Sequence, residues 1–414
     1  MEIPKRVIMV QAEGIADRYR WVILGVLWTA YIVVFLHRLS IGPLAPFFKG
    51  GLGLNSTQVG LLMSAASFGY MLTVFPIGWV VDKIGARWPI VTGELIAGTC
   101  MIALFFAPSY IWLLILMFTT GLGCGFLLPS TTQGVIAWFP LRERATVMGL
   151  KQTAVNIGGI ISAATLPTIA LVLGWRYGFL FLGIISIAIG ATALILYKEP
   201  PMGSSNPVGS AAADTPVPLL EIFKSREIWL LALCGLTLTW VEMAMIAHLV
   251  LYLTEVLLFG VVAAGGLLAM TEAAGAIARP GSGFLSDRVF GGNRKQVYML
   301  IAGTASIMCL IVGLFGPYLS WALYPVLLLL GIGGIAFGGI HLTLLAEFGG
   351  PRGAGKAVGL GSMGALAGSA IGPTFFGYIV DTSGSYKLAW LSLAFLAALC
   401  IFLLLFVRER KRKI

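Results

Sequence analysis

Charged residues are scarce in this sequence. Asp, Glu, Lys and Arg make up only 11% of its 414 residues, whereas soluble domains carry roughly 25%. Hydrophobic residues make up 58%, in successive runs of about 20 that are each long enough to cross a bilayer as a helix. The alternating segments of about 10 residues that are typical of membrane barrels are absent. These features predict an all-α polytopic membrane protein.

Motifs for soluble catalysis are also missing. The sequence has no G-x-x-x-x-G-K-[ST] phosphate loop, no G-x-S-x-G nucleophile turn and no H-E-x-x-H zinc motif. Its five cysteines are dispersed and form no C-x-x-C pair, so neither a disulfide framework nor a zinc site is expected. We therefore expect no enzyme activity, no cofactor and no bound metal. Residues 1–20 lack the apolar core of a cleaved signal peptide, so the first span is expected to direct insertion itself.

The apolar runs predict twelve transmembrane helices on either side of one long polar interruption. We expect the spans at residues 21–47, 57–81, 88–107, 110–139, 145–173, 175–197, 227–254, 259–286, 297–316, 318–346, 355–380 and 386–407. The interruption is rich in Pro, Gly and Ser, which favours a flexible linker. The predicted organisation is an N-terminal six-helix bundle at 1–197, a cytoplasmic linker at 198–226 and a C-terminal six-helix bundle at 227–414.

Basic residues collect in the short loops on one side of the predicted membrane. This side includes Lys83, Arg87, Arg144, Arg288 and Arg294. By the positive-inside rule it faces the cytoplasm, together with both termini, in the plasma membrane. The orientation in the membrane thus explains the formal net charge of +10. We expect the protein to be surrounded by a lipid bilayer and not to bind nucleic acid. We also expect it to be a monomer.

Two hairpins about half the chain apart have related sequences. The first reads Gly-Trp-Val-Val-Asp-Lys-Ile-Gly-Ala-Arg at 78–87, and the second is its variant at 283–295. Gly-rich segments at 121–125 and 331–334 also correspond. Weak internal symmetry of this kind is typical of duplicated transporter folds.

With these hairpins and the six-plus-six spans, the chain resembles the major facilitator superfamily of secondary transporters over essentially its full length. The resemblance implies two pseudo-symmetric six-helix bundles with a substrate site between them. It also implies a cytoplasmic gate, in which an acidic residue and its basic neighbours hold the halves together. The corresponding residues are Asp82, Lys83, Arg87, Asp287 and Arg288.

Further segments resemble transporters of organic anions. Residues 138–144 and 174–179, together with Arg38, are similar to anion:cation symporters, although His37 stands where that family has an acidic residue. Ala-Arg-Pro-x-x-Gly at 278–283 resembles the eighth span of monocarboxylate and nitrate transporters, whose arginine binds the anion. The second arginine of the nitrate family has no counterpart, which disfavours nitrate.

Arg279 and Arg38 are candidate substrate-binding residues. Arg279 lies about 12 Å along its helix from Asp287, and its planar guanidinium suits a carboxylate. The alternative for Arg279 is a structural ion pair with Glu272, two turns away. Arg38 lies roughly 25 Å into the first span, where it either contributes to the site or extends to the outer interface.

Three polar residues early in the fifth span are further candidates for substrate binding. Gln152 and Asn156 share a helix face and would offer hydrogen bonds to hydroxyl or carboxylate groups. Lys151 either joins them in the cavity or extends to the cytoplasm two turns away.

Glu242 and Glu272 lie near mid-membrane, where a carboxylate is costly and usually functional. They are candidates for proton coupling, with His37 as a third. The alternatives for the two glutamates are pairing with Arg279 and hydrogen bonding to a facing helix. Glu94, by contrast, is expected to reach the membrane interface.

These residues favour a proton-coupled symporter of a small organic anion, a monocarboxylate or a sugar acid, that works by alternating access. Three alternatives remain open. The first is a proton-driven exporter of neutral or cationic drug-like compounds, which cations in the cavity would disfavour. The others are an anion antiporter and a membrane receptor that does not transport.

Overall fold

The computed structural model describes residues 5–199 and 219–408, and all regular structure within these ranges is helical. In the described ranges, twelve helices are long and apolar enough to cross a membrane. They are α1 (Arg18–Leu52), α2 (Ser56–Ile84), α3 (Arg87–Phe105), α4 (Tyr110–Trp138), α5 (Arg142–Leu173), α6 (Trp175–Leu196), α7 (Arg226–Glu255), α8 (Val261–Val289), α9 (Arg294–Tyr318), α10 (Ser320–Gly350), α11 (Gly353–Ser383) and α12 (Tyr386–Leu405). The predicted multi-pass fold with six spans in each half is confirmed.

The predicted linker at 198–226 falls mostly outside the described residues, which resume at 219. A short helix, Leu219–Lys224, precedes α7 there. The linker and the domain boundaries drawn from it remain predictions.

Helix breaks at matching positions support the symmetry of the two halves. In α4, Phe126 separates the helices Tyr110–Gly125 and Leu127–Trp138. In α10, the helix Leu323–Ile335 ends before a new one begins at Gly338. A broken helix leaves backbone groups without intrahelical partners, and one of these groups is used at the site described below.

The surface along which the two halves meet is called the seam. Its close contacts lie at one end of the molecule, which we call the closed end. There α2 and α11 approach so closely that their glycines admit no side chain. A Cβ on Gly60 would overlap the carbonyl of Pro373, and one on Gly377 would overlap the carbonyl of Ser56. Small residues that allow backbones to touch are the usual basis of tight helix packing in membranes.

Polar contacts reinforce this closed end. The Asp381 carboxylate of α11 accepts hydrogen bonds from the backbone N–H groups of Ser56, at 3.0 Å, and Thr57, at 2.7 Å. These donors lie in the first turn of α2, where a negative charge is favoured. Lys49 of α1 forms an ion pair with Glu255 of α7 at 2.9 Å. Both contacts join one half to the other.

The residues of the predicted cytoplasmic gate lie at the opposite end. Asp82 and Lys83 are exposed. Arg87 contacts its own half, donating from its guanidinium to the Leu194 carbonyl and from its backbone N–H to Glu199.

The gate residues of the second hairpin also contact their own half of the protein. Asp287 lies 3.8 Å from Arg294 in its own half, and Arg288 lies over the ring of Phe284. The gate therefore remains a prediction for a conformation that is closed at this end.

We expect Asp381→Ala to loosen the closed end. Hydrogen bonds to a charged group contribute about 1.5–3 kcal/mol each, so their loss should raise the population of the opened state. The measurement is maleimide labelling in nanodiscs of a single cysteine at Ile246, which is buried at the seam opposite Gly42. The native cysteines are replaced beforehand, and labelling should accelerate at least tenfold.

The matched control is Glu221→Ala, which removes an exposed carboxylate from the short helix before α7 and should leave the labelling rate unchanged. Equal rates in the Asp381 and Glu221 variants would show that Asp381 does not hold the halves together.

Candidate functional site between the halves

Ionisable side chains converge where α1, α2 and α5 of the N-terminal half face α7, α8 and α10 of the C-terminal half. Arg38, Lys151, Glu242 and Glu272 are all buried, and Arg279 is a quarter exposed. We call these five residues the central cluster. Because charge within a membrane is costly and rarely kept without a task or a partner, this is the candidate site.

Contacts across the seam show that the cluster belongs to both halves. The Glu272 carboxylate of α8 packs against Gly159 of α5, 2.9 Å from where a Cβ on that glycine would stand. Any movement of one half against the other must therefore change the surroundings of these charges.

Arg279 is held by two partners in its own half. Its Nη2 lies 3.2 Å from Oε1 of Glu242, and its Nε donates to the Ile335 carbonyl at 3.0 Å. Ile335 is the last residue before the break in α10, so its carbonyl is available to a side chain. Both glutamates were considered as partners of Arg279, and the structure pairs it with Glu242 rather than with Glu272.

Arg38 has no carboxylate within ion-pair distance among the described residues. Its guanidinium lies over the Tyr70 ring, 4.3 Å from the centroid, and more distantly over Phe35 at 5.5 Å. Its one hydrogen bond to a described residue is a long contact of 3.5 Å from Nη2 to Ser67, and Nε has no partner. Arg38 is buried and does not extend to the outer interface.

Lys151 is likewise buried, and within the described chain no carboxylate pairs with it. Its ammonium donates to the hydroxyl groups of Thr131, at 3.3 Å, and Thr132, at 3.2 Å. It lies 4.3 Å above the centroid of the Tyr31 ring. Of the two expectations for Lys151, the structure supports the inward one.

Several other polar atoms around the cluster lack a partner. Oε1 of Glu272, Oε1 of Gln152 and Nδ2 of Asn156 are buried and form no hydrogen bond with the described residues. Asn156 is one turn from Gly159, against which Glu272 packs. Buried polar groups are nearly always satisfied, so these donors and acceptors are candidates for hydrogen bonds to water or to a polar ligand.

His37 is separated from the cluster despite its place beside Arg38. Its Nε2 is 3.4 Å from the Leu182 carbonyl, and its Nδ1 is 3.9 Å from the sulfur of Cys124. Both neighbours belong to the interior of the N-terminal half. Adjacent residues on a helix point about 100° apart, so Arg38 and His37 face different surroundings.

Glu94 does not reach the membrane interface, and that expectation is wrong. It is buried between α3 and α6, where the Ser186 hydroxyl donates to Oε2 at 2.5 Å. A Cβ on Gly190, one turn further along α6, would stand 3.2 Å from the Cβ of Glu94. The small residues of α6 create the space for this carboxyl group.

Two tyrosines of the site were not identified from the sequence. Tyr31 and Tyr70 are buried, Tyr31 beneath the ammonium of Lys151 and Tyr70 beneath the guanidinium of Arg38. The available signal was the spacing of Tyr31, Phe35 and Arg38, which places all three on one helix face.

A separate concavity of about 790 Å³ opens sideways between α2, α4 and α11. It is lined by residues such as Leu61, Phe68, Ile115 and Phe375, and no ionisable acid or base lines it apart from the phenol of Tyr378. This groove is suited to hydrocarbon rather than to a charged solute.

We expect the two central glutamates to differ in their contribution to stability. Glu242→Gln weakens the ion pair with Arg279 and should cost about 1–3 kcal/mol, seen as a lower melting temperature of the purified protein. Glu272→Gln removes a buried carboxylate that has no hydrogen-bond partner among the described residues, and should leave the melting temperature unchanged or raise it. Equal destabilisation by both substitutions would contradict the assigned pairing.

Comparison with known proteins agrees with this architecture. Residues 27–360 match the family model of the Major Facilitator Superfamily. The chain is 27% identical over 395 residues to a probable sulfoacetate transporter of Cupriavidus necator, covering 90% of each chain. It is 25% identical to a hexuronate transporter of Bacillus subtilis, covering 91% of this chain and 92% of the relative.

The fold is also that of a solved structure. A bacterial homologue of the human lysosomal transporter Spinster, in an inward-facing and occupied conformation, superposes with a TM-score of 0.79 at 19% identity. The alignment covers 94% of this chain and 97% of that one. With twelve spans, two related halves and the matching family model, the chain belongs to the Major Facilitator Superfamily and is a membrane transporter rather than an enzyme.

Proposed function

We propose that this protein is a secondary active transporter of a small organic anion, a monocarboxylate or a sugar acid, and that it acts as a proton symporter. One observation carries the proposal. Arg38 and Lys151 are buried cations for which the described residues supply no carboxylate counterion. An anion entering between the halves would supply the missing charge.

The relatives support the same class of substrate. Sulfoacetate and hexuronates, named for two of them, are small acids rich in oxygen. A cationic drug is a poor fit, because buried cations repel cationic cargo.

Each polar residue of the site has a role in this proposal. Arg38 and Lys151 attract the anion from the N-terminal half, and Arg279 faces it from the C-terminal half. Gln152 and Asn156 supply hydrogen bonds to carboxylate or hydroxyl groups, which their unpartnered atoms are free to make.

Charge balance supports coupling to one proton, carried by Glu272 with Glu242 as the second candidate. The empty cluster holds three cations and two carboxylates. A monoanion together with a proton on Glu272 adds no net charge, so the loaded and empty clusters carry the same charge. The loaded and the empty protein can then adopt the same closed intermediate, because burying the cluster has a similar electrostatic cost in each.

We further propose that the closed end faces the outside, in keeping with the basic loops and the termini at the opposite end. The conformation would then be open to the cytoplasm. The halves would rock about the cluster to expose it alternately to each side.

We expect Arg279→Lys to abolish uptake in proteoliposomes while the protein remains folded and monodisperse. A lysine cannot bond to Glu242, to the Ile335 carbonyl and to an anion with the fixed fork geometry of arginine. Uptake should fall about 100-fold. Arg176→Lys is the control, at a half-buried arginine of α6 whose contacts are Trp175 and the Ala107 carbonyl rather than the cluster. Unchanged uptake in the Arg279 variant would rule out this site assignment.

We expect Glu272→Gln to separate exchange from proton coupling. The variant should still exchange labelled for unlabelled acid, since that step needs no proton movement, but it should not accumulate acid when a pH gradient is imposed. Glu94→Gln alters a buried carboxyl group away from the cluster and should accumulate normally. Accumulation by the Glu272 variant at the wild-type level would assign coupling to another group.

A further inference from the structure

The two unpaired cations of the N-terminal half each lie over a tyrosine ring. The Lys151 ammonium lies over the face of Tyr31, and the Arg38 guanidinium lies over the face of Tyr70, each 4.3 Å from the ring centroid. Both rings are buried. We call the two rings the tyrosine platform.

A ring face supports a cation differently from a carboxylate. It attracts the charge through its quadrupole, but it brings no opposite charge. Burial of Arg38 and Lys151 is therefore partly compensated while their full positive charge stays available to a ligand. In the C-terminal half, Arg279 is compensated by Glu242 instead.

Lys151 and Arg38 differ in the number of hydrogen-bond donors that remain available to a ligand. An ammonium has three donors, and two of those on Lys151 are taken by Thr131 and Thr132. Arg38 has five donors, of which one contacts Ser67 and Nε has no partner. Arg38 can thus hold a carboxylate with two parallel bonds, whereas Lys151 can give one bond to one further oxygen.

We propose that Tyr31 and Tyr70 are positioning residues, which hold Lys151 and Arg38 apart so that the site selects acids bearing a second oxygen group away from the carboxylate. This inference rests on the proposed anion transport and narrows its substrate class. Arg38 binds the carboxylate, and Lys151 binds a hydroxyl or other oxygen near the far end of the same molecule. Acids with a bare hydrocarbon tail leave Lys151 unsatisfied, which is costly in a buried site.

The test measures binding of gluconate and hexanoate to the purified full-length protein by calorimetry. Both probes have six carbons and one carboxylate, and they differ in their hydroxyl groups. The wild type should prefer gluconate at least tenfold. Tyr31→Leu should weaken gluconate binding about tenfold and leave hexanoate binding unchanged, because Arg38 still holds the carboxylate.

The companion variants separate positioning from other roles. Tyr31→Phe keeps the ring face and should bind gluconate within about threefold of the wild type. Tyr70→Leu should weaken both acids equally, since it displaces Arg38. Lys151→Met should reproduce the Tyr31→Leu pattern. It replaces Tyr31→Leu in the test if the Tyr31→Leu variant folds poorly. Tyr110→Leu, at a tyrosine with no cation over its ring among the described residues, should change neither affinity.

Two results would overturn the inference while leaving anion transport intact. Tyr31→Phe as damaging as Tyr31→Leu would mean that the phenol hydroxyl, rather than the ring face, matters. Equal weakening of both acids by Tyr31→Leu would mean that Lys151 does not select the second oxygen. A wild type that bound neither acid would instead overturn the proposed function, and the inference with it.

Discussion

Positive charge buried between the two halves, without an equal number of carboxylates beside it, is the constraint on which this structure depends. Arg38 and Lys151 are removed from water, and their nearest supports are hydroxyl groups and aromatic faces. These supports reduce the cost of burial but do not neutralise the charge. The protein therefore has an excess of buried positive charge at its centre, which a bound anion compensates.

The two halves contribute different charged residues to the cluster. The N-terminal half carries the unpaired cations, while the C-terminal half carries Arg279 with its acid and the unpaired Glu272. Glu272 reaches across to Gly159, so the carboxylate that we propose as the proton carrier lies where the two halves meet. At the closed end, glycines on α2 and α11 permit backbone contact, and Asp381 of α11 accepts hydrogen bonds from the first turn of α2.

The architecture was predictable because its signals are local and repeated. Twelve apolar runs of sufficient length and two related hairpins specify the spans and their pairing into halves. Arg279 was recognisable for the same reason, since a guanidinium deep in an apolar helix has few explanations. Its partner was not, because the choice between Glu242 and Glu272 depends on how α7 and α8 rotate against each other, which spacing along α8 does not report.

Other parts of the site depend on packing between helices and were not predictable. His37 and Arg38 are adjacent in sequence, yet one contacts Leu182 within the bundle and the other faces the cluster. Glu94 is buried because α6 offers Ser186 and Gly190 opposite it. Tyr31 and Tyr70 looked ordinary in composition, and their contacts with Lys151 and Arg38 are visible only once α1, α2 and α5 come together.

The most direct measurement is counterflow of labelled acids in liposomes containing the purified wild-type protein, with the external pH recorded throughout. Lactate, pyruvate, sugar acids and dicarboxylates would be compared with a lipophilic cation. The account predicts uptake of an acid with matching alkalinisation outside. Uptake of the lipophilic cation with no flux of any acid would contradict it, because the buried cations of the N-terminal half would then have no anion to bind.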